Sequence, residues 1–132
     1  MLTLRVPLPY CLDDPLEQGG LLFGPPGEVR LATGPLPGDV RGTHSLVMAD
    51  PGHLAAAECA AAQGWGYLGY WHSHPAGTPQ HPSEVDLTDW HAALETTGAA
   101  FLDFPIITGG VLRAWRLHRG GDLEEVPWTS TT

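Results

Sequence analysis

The sequence contains no lysine, and its six basic residues, all arginines, face fifteen aspartates and glutamates. The formal charge of −9 argues against a nucleic-acid partner, because binding to a phosphate backbone depends on clustered basic side chains. Without lysine, the chain also offers no side-chain amine onto which another protein could be conjugated. We therefore expect partners other than nucleic acids, with a preference for a basic partner surface.

Long hydrophobic runs are also absent. No stretch of 18 apolar residues occurs, which is the length that a membrane-spanning helix needs. Residues 1–7 lack a charged region followed by an apolar one, so we expect no signal peptide, no membrane association and a cytoplasmic location.

Cysteine is scarce as well: Cys11 and Cys59 are the only two, and they form no C-x-x-C pattern. A disulfide between them is one option, but a chain without secretion signals favours free thiols. Cys59 lies among alanines of a predicted helix, where we expect a small buried residue.

The length of 132 residues and the hydrophobic share of 42% predict a single globular domain over residues 1–132. Periodicity and turn residues predict two helices, the first at 51–63 with Asp50 as N-cap and the second at 84–96. They predict strands at 2–6, 19–24, 28–33, 44–49, 66–74, 100–107, 111–118 and 123–126, a loop at 34–42 and a frayed tail after the last strand. The fold class is therefore α/β, with a mixed β-sheet flanked by two helices.

The strand at 66–74 carries the most informative motif, His-Ser-His-Pro. Side chains alternate along a strand, so His72 and His74 point to the same face, roughly 7 Å apart along the chain. Pro75 ends the pairing, and after a loop Ser83 is a natural N-cap with Asp86 in the first helical turn. Two imidazoles and one carboxylate, with a fourth position left open, are typical of a catalytic zinc site.

Each part of this motif also has a purely structural interpretation. A histidine more often has a structural role, and Ser-x-x-Asp alone more often marks only a helix cap. The combination favours metal, because it places a strand end and a helix start in the order that a shared site requires. His81 is expected to be a solvated loop residue rather than a substrate or metal contact, and the aromatic residues of the strand are expected in the core rather than on a substrate platform.

Together with a preceding glutamate, these residues resemble the JAMM (MPN+) metalloproteases. The similarity runs from about residue 16 to 117 and includes Glu17 before Gly-Gly-Leu-Leu-Phe-Gly, His72-Ser-His74-Pro, and Ser83-Glu-Val-Asp86. It implies an MPN sandwich, related to the cytidine-deaminase fold, in which His72, His74 and Asp86 hold one Zn²⁺ per chain. Glu17 would contact the metal-bound water, and Ser83 would hydrogen-bond the developing oxyanion.

The resemblance further implies hydrolysis of peptide or isopeptide bonds after the C-terminal Gly-Gly of ubiquitin-like or sulfur-carrier proteins. The alternative is a catalytically silent MPN-type interaction module, but such modules typically lack the metal ligands that this chain keeps. A metal-storage domain would not need Glu17 and Ser83. The sequence leaves open the substrate protein, the native metal and the oligomeric state, a homo-oligomer included.

Two departures from the family pattern bear on the site. Residues 75–82 place eight residues between His74 and Ser83, whereas the usual spacing is seven. Many relatives also have a long helix before the glutamate, but here residues 7–16 contain three prolines, so that helix is expected to be short or missing.

Overall fold

The computed structural model describes residues 1–131 and has the mixed α/β architecture that the sequence predicts. Its helices are α1 (Gly52–Ala62) and α2 (Glu84–Glu95). The strands, in chain order, are β1 (Leu2–Leu4), β2 (Gly19–Gly24), β3 (Glu28–Val29), β4 (Leu31–Ala32), β5 (Val40–Arg41), β6 (Leu46–Val47), β7 (Gly66–His74), β8 (Phe101–Thr108), β9 (Val111–His118), β10 (Leu123–Val126) and β11 (Trp128–Ser130).

The main sheet has six strands in the order β10-β9-β8-β7-β2-β4. Only β7 and β8 pair in parallel within it, and the other neighbours are antiparallel. Parallel neighbours cannot be joined by a tight turn, so the chain crosses over through the loop after β7 and through α2. This crossover brings the first turn of α2 to the carboxyl end of β7, where the predicted ligands lie.

The core lies on both faces of this sheet. On one face, Trp90 and Leu94 of α2 pack against Leu102, Phe104 and other buried residues of β8 and β9. On the other face, Trp71 packs with residues of the small sheet β11-β1-β3. The alternation of β7 between these two layers fixes which side chains turn toward α2.

The segment between β2 and α1 differs most from the prediction. Residues 28–33 form two short strands rather than one, because β3 pairs with β1 while β4 pairs with β2 in the main sheet. Residues 40–41 belong to a small hairpin with residues 46–47, not to a loop, and this second strand is shorter than predicted. Helix α1 has Pro51 at its N-cap; Asp50 still accepts a hydrogen bond from Gly52 N at 2.7 Å.

Two further expectations were wrong. The tail was expected to be frayed, but it forms β11, which is held by parallel pairing with β1. Residue 132 lies outside the described residues. Cys59 is exposed rather than buried, because α1 turns it away from the sheet, and both cysteines are free thiols. Residues 7–16 contain no helix, as predicted from their prolines. No helix in the described chain is long and apolar enough to cross a membrane.

Candidate metal centre

Strand β7 presents two histidines toward α2, as its period-two pattern predicts. His72 is 3% exposed, and its ring lies 6.3 Å from that of Trp90. His74, the last residue of the strand, is half-buried at the edge of a cleft. Trp71, which directly precedes His72, points into the opposite core layer. The strand therefore delivers the two imidazoles to one side of the sheet.

The first turn of α2 supplies the third side chain. Ser83 is the N-cap, and its Oγ accepts a hydrogen bond from Asp86 N at 3.1 Å. Asp86 in turn accepts one from Ser83 N at 2.9 Å, which completes a capping box. The cap fixes the orientation of the Asp86 carboxylate, so the predicted N-cap and the predicted ligand are parts of one local structure.

These elements bring the predicted ligands together. His72 Nε2 lies 3.1 Å from His74 Nε2 and 3.2 Å from Asp86 Oδ1, and His74 Nε2 lies 3.1 Å from Asp86 Oδ2. Four ligands arranged tetrahedrally at about 2.0–2.1 Å from zinc would lie about 3.3–3.4 Å apart. The separations fit that arrangement, so His72, His74 and Asp86 could hold a metal ion.

The hydrogen bonds of His74 support the same assignment. Its Nδ1 lies 3.1 Å from Pro79 O, and a carbonyl oxygen only accepts, so Nδ1 carries the proton. In the neutral ring, Nε2 then has a free lone pair directed at the other two donors. A backbone carbonyl that orients a histidine in this way is typical of metal ligands. His72 Nδ1 is buried without a partner.

The loop of residues 75–82 accommodates its extra residue without separating the ligands. Thr78 N donates to Pro75 O at 3.2 Å, and Gly77 has φ +85°, as the third position of a type II turn requires. Pro79, directly after this turn, supplies the carbonyl that orients His74. The longer loop thus preserves the contact between His74 and Asp86.

The electrostatics of the group favour a cation. Burial alone would raise the pKa of Asp86, but hydrogen bonds from His72 and His74 outweigh it and hold the pKa well below its usual range. The hydrogen bond to Asp86 raises the pKa of His74. The carboxylate therefore stays ionised and attracts positive charge to the point where the three side chains meet.

Glu17 lies two residues before β2, in the same cleft. Its N–H donates to Gly42 O at 2.8 Å, which ties it to the turn between β5 and β6. Burial raises the pKa of its carboxyl group, and the nearby His72 and His74 partly offset this rise. A carboxylate with a raised pKa beside a metal site is suited to accept and return a proton near neutral pH.

The cleft has a volume of about 510 Å³, within the usual range for a binding site. Besides the predicted Glu17, His74, Ser83 and Asp86, its lining includes residues that the sequence did not single out: His44, Ser45, Leu46, Val85 and Asp89. Asp89 was detectable in principle, since it lies one helical turn after Asp86. His44 had no such signal, because only the fold brings its turn beside Glu17. His81 lines the cleft as an exposed residue and is not part of the ligand group.

Comparison with known proteins shows the family of the chain. Residues 10–118 match the model of a family described as prokaryotic homologs of the JAB domain. The solution structure of protein DSY2949 from Desulfitobacterium hafniense is similar in fold, with a TM-score of 0.66 and 23% identity over 99% of this chain and 93% of that chain. The crystal structure of AF2198, a JAB1/MPN domain protein from Archaeoglobus fulgidus, aligns with a TM-score of 0.45 and 20% identity over 89% of this chain and 80% of that chain.

No curated protein sequence is significantly similar to the chain. The family match nevertheless spans most of its length, including β2, β7, the start of α2 and the β8–β9 hairpin. The fold is the one expected from the resemblance, and His72, His74 and Asp86 form a cluster that could hold a metal ion. The chain belongs to the family of prokaryotic homologs of the JAB domain.

Proposed function

We propose that the protein is a zinc-dependent peptidase or isopeptidase that cleaves after the C-terminal Gly-Gly of ubiquitin-like or sulfur-carrier proteins. The observation that carries the proposal is the convergence of three side chains, His72, His74 and Asp86, each of which lies 3.1–3.2 Å from the other two, beside a cleft that Glu17 and Ser83 line. A site that only stored metal would not need a half-buried carboxylate and a hydroxyl beside it.

His72, His74 and Asp86 would hold the metal, with one coordination position left open for catalysis. Zinc bound there supplies Lewis acidity and activates water near neutral pH. The two histidines are neutral imidazoles in this role, and the hydrogen bond from His74 Nδ1 to Pro79 O keeps Nε2 free. The Ser83 N–H holds one oxygen of Asp86 in place.

Glu17 would act as the general base and acid. Its raised pKa allows it to take a proton from the attacking water and to deliver one to the leaving amine. Glu17 is not one of the three converging donors, so its carboxylate is free for proton transfer. It lies two residues before β2, whose first residue, Gly19, pairs with His72 of the ligand strand.

Ser83 would stabilise the oxyanion. Its Oγ already accepts the Asp86 N–H, so the hydroxyl proton remains to be donated toward a carbonyl oxygen in the cleft. Such a donor typically contributes about 3–4 kcal/mol of transition-state stabilisation. The exposure of Ser83 at the cleft surface leaves the hydroxyl accessible to a substrate.

The family supplies the proposed substrate class, and the cleft is compatible with it. An extended tail ending in two glycines has little side-chain bulk next to the scissile bond. The β5–β6 hairpin, whose Leu46 lines the cleft, pairs with no other strand among the described residues. Its exposed edge therefore offers backbone groups to which such a tail could add as a further strand.

The test compares the wild type with Glu17→Gln and His74→Ala, using fusions in which a carrier protein ending in Gly-Gly is joined to a reporter. We expect about one zinc per chain in the wild type and in Glu17→Gln, and loss of zinc in His74→Ala, measured by mass spectrometry. Cleavage should fall by about 10²–10⁴-fold in Glu17→Gln. Bound zinc without cleavage of any fusion by the wild type would favour the silent interaction module instead.

A further inference from the structure

A buried pair of residues links Glu17 to the ligand strand. Gln18 N donates to Ser73 Oγ at 2.8 Å, and Ser73 N donates to Gln18 O at 2.8 Å. Gln18 is 1% exposed and Ser73 is 5% exposed, so neither bond competes with water. Gln18 directly follows the proposed general base, and Ser73 lies between the two histidines. The pair therefore connects Glu17 to the two histidines through residues that are their direct neighbours in the chain.

The regular pairing of β2 with β7 ends just before this point, at Gly19 opposite His72. Beyond it, the ladder is continued by the Ser73 hydroxyl, which takes the place of a backbone acceptor for the Gln18 N–H. Glu17 comes immediately before Gln18. Its N–H donates to Gly42 O at 2.8 Å and its carbonyl oxygen accepts from Arg41 Nη1 at 3.5 Å, so both of these bonds run to the end of β5 and neither runs to β7. Its position relative to β7 thus depends on the Gln18–Ser73 pair.

The side chain of Gln18 fixes the pair from the other side. Its Nε2 donates to Cys11 O at 2.7 Å, and its Oε1 accepts from Cys11 N at 2.8 Å. The carboxamide therefore pairs with both backbone groups of Cys11, as a neighbouring strand would, although the segment around Cys11 has no regular structure. With its main chain held by Ser73 and its side chain by Cys11, Gln18 has no freedom to rotate and displace Glu17.

We propose that Ser73 is a positioning residue that sets the distance between Glu17 and the metal ligands through the backbone of Gln18. Strand alternation turns Ser73 away from the face that carries His72 and His74, so its hydroxyl acts through Gln18 and not on the metal. The proposal rests on the proposed hydrolytic function. A displacement of about 1 Å in a catalytic group can lower the rate about 10²-fold, so a single hydrogen bond of this kind is enough to matter.

The test replaces Ser73 with alanine, which removes the acceptor, and with threonine, which retains it. We expect Ser73→Ala to lower kcat about 10–100-fold, with KM within about twofold of the wild type. Ser73→Thr should stay within about threefold of the wild type. Zinc content should remain near one per chain in both variants, because neither ligand histidine is removed. Amide exchange at Gln18 should accelerate in Ser73→Ala and return toward the wild-type rate in Ser73→Thr.

Thr33→Ala is the matched control for general destabilisation. Thr33 Oγ1 is also a buried hydroxyl that accepts a backbone N–H from β2, that of Leu21, at 2.7 Å. This variant should lose stability but keep kcat, since Leu21 lies inside the regular pairing of β2 with β7, opposite Tyr70, and four residues beyond Glu17. If Ser73→Ala does not fold, Ser73→Cys, with a weaker acceptor of similar size, should show an intermediate loss of kcat.

A kcat within twofold of the wild type in Ser73→Ala, or an equal fall in Thr33→Ala, would overturn the positioning role. Cleavage by the wild type and its loss in Glu17→Gln would leave the proposed function standing in that case. If the wild type cleaves no Gly-Gly fusion, the hydrolytic function fails, and the positioning role of Ser73 fails with it.

Discussion

Asp86 allows the metal site to be tested separately from the helix that carries it. The carboxylate both meets the two histidines and accepts the Ser83 N–H at 2.9 Å. In Asp86→Asn, an amide oxygen can still accept that N–H, so the start of α2 is retained while the charged metal ligand is lost. Asp86→Ala would remove both functions and would not distinguish them.

The size of the effect follows from binding linkage. Free zinc at one hundred times its dissociation constant stabilises a one-site protein by about 2.7 kcal/mol. For a chain of 132 residues, 1 kcal/mol corresponds to about 3–4 °C in melting temperature, so zinc should raise that of the wild type by about 8–11 °C. At the same zinc concentration, Asp86→Asn should shift by less than about 2 °C, because loss of a ligand weakens binding well beyond tenfold.

The assay is thermal melting by circular dichroism, first with a chelator and then with added zinc. Calcium at the same concentration serves as the control, because hard oxygen-seeking ions bind imidazoles poorly. Equal zinc stabilisation of the wild type and Asp86→Asn would show that the metal binds elsewhere. A difference in melting temperature between the wild type and Asp86→Asn in chelator would measure how much the Asp86 carboxylate stabilises the metal-free fold through its hydrogen bonds.

Three further predictions concern pH, the oxyanion donor and a glycine of the ligand strand. In the metal-free protein, the pKa of His74 is raised and that of Asp86 is lowered, so their pair should stabilise the fold most between about pH 4 and 6.5. This stabilisation should be lost as pH rises through the pKa of His74 or falls through the pKa of Asp86. Melting curves in chelator should show the loss, and a melting temperature that still climbs from pH 7 to 9 would contradict it. Ser83→Ala should lower kcat about 10²–10³-fold and, because the helix cap is lost, reduce the free energy of unfolding by about 1 kcal/mol, whereas Ser83→Thr should keep the cap. Single-turnover kinetics on variants that retain zinc would check this. An unchanged kcat in Ser83→Ala would remove Ser83 from the mechanism. Gly69→Ala should destabilise the fold by ~3 kcal/mol or more, since Gly69 has φ +128° and an added Cβ would lie 1.9 Å from Asp103 O; denaturant unfolding near wild-type stability would argue against it.

The part of the site that sequence predicts is the part encoded locally. His72 and His74 share a face because of strand periodicity, and Ser83 and Asp86 meet because a capping box spans three residues. The loop between these elements is short, so the crossover to β8 brings them together. Glu17 had no local signal of this kind, and only the family resemblance directed attention to it.

The missed features lack a periodic pattern in the sequence. The Gln18–Ser73 pair joins residues 55 positions apart, and neither side chain belongs to a periodic pattern. The β5–β6 hairpin is two residues long on each side, too short for alternation to show, and its turn is held by the backbone of Glu17. The exposure of Cys59 was missed because an alanine-rich helix has no clear apolar stripe to show which side faces the sheet.

His53 shows why a histidine can resist interpretation from sequence. Its Nε2 donates to Asp39 at 2.9 Å, and its Nδ1 accepts from Thr33 Oγ1 at 2.7 Å, because that oxygen already accepts a backbone N–H. All of its hydrogen-bonding capacity is therefore used inside the fold. His72 and His74 differ in that their Nε2 atoms face each other and a carboxylate, with no backbone donor or acceptor between them.

The side chains of the metal-free site are oriented by hydrogen bonds within the protein. The two imidazole nitrogens lie 3.1 Å apart, and each also lies 3.1–3.2 Å from an oxygen of the Asp86 carboxylate, whose negative charge stabilises the close approach of the two rings. The carboxylate is in turn fixed by the cap of α2, and His74 by the Pro79 carbonyl. The three donors are therefore oriented by bonds that do not involve the metal, and binding does not have to offset the entropy of assembling them. A site assembled in this way should gain a metal ion with little movement of β7 or α2, which comparison of amide exchange in the metal-free and zinc-loaded protein would show directly.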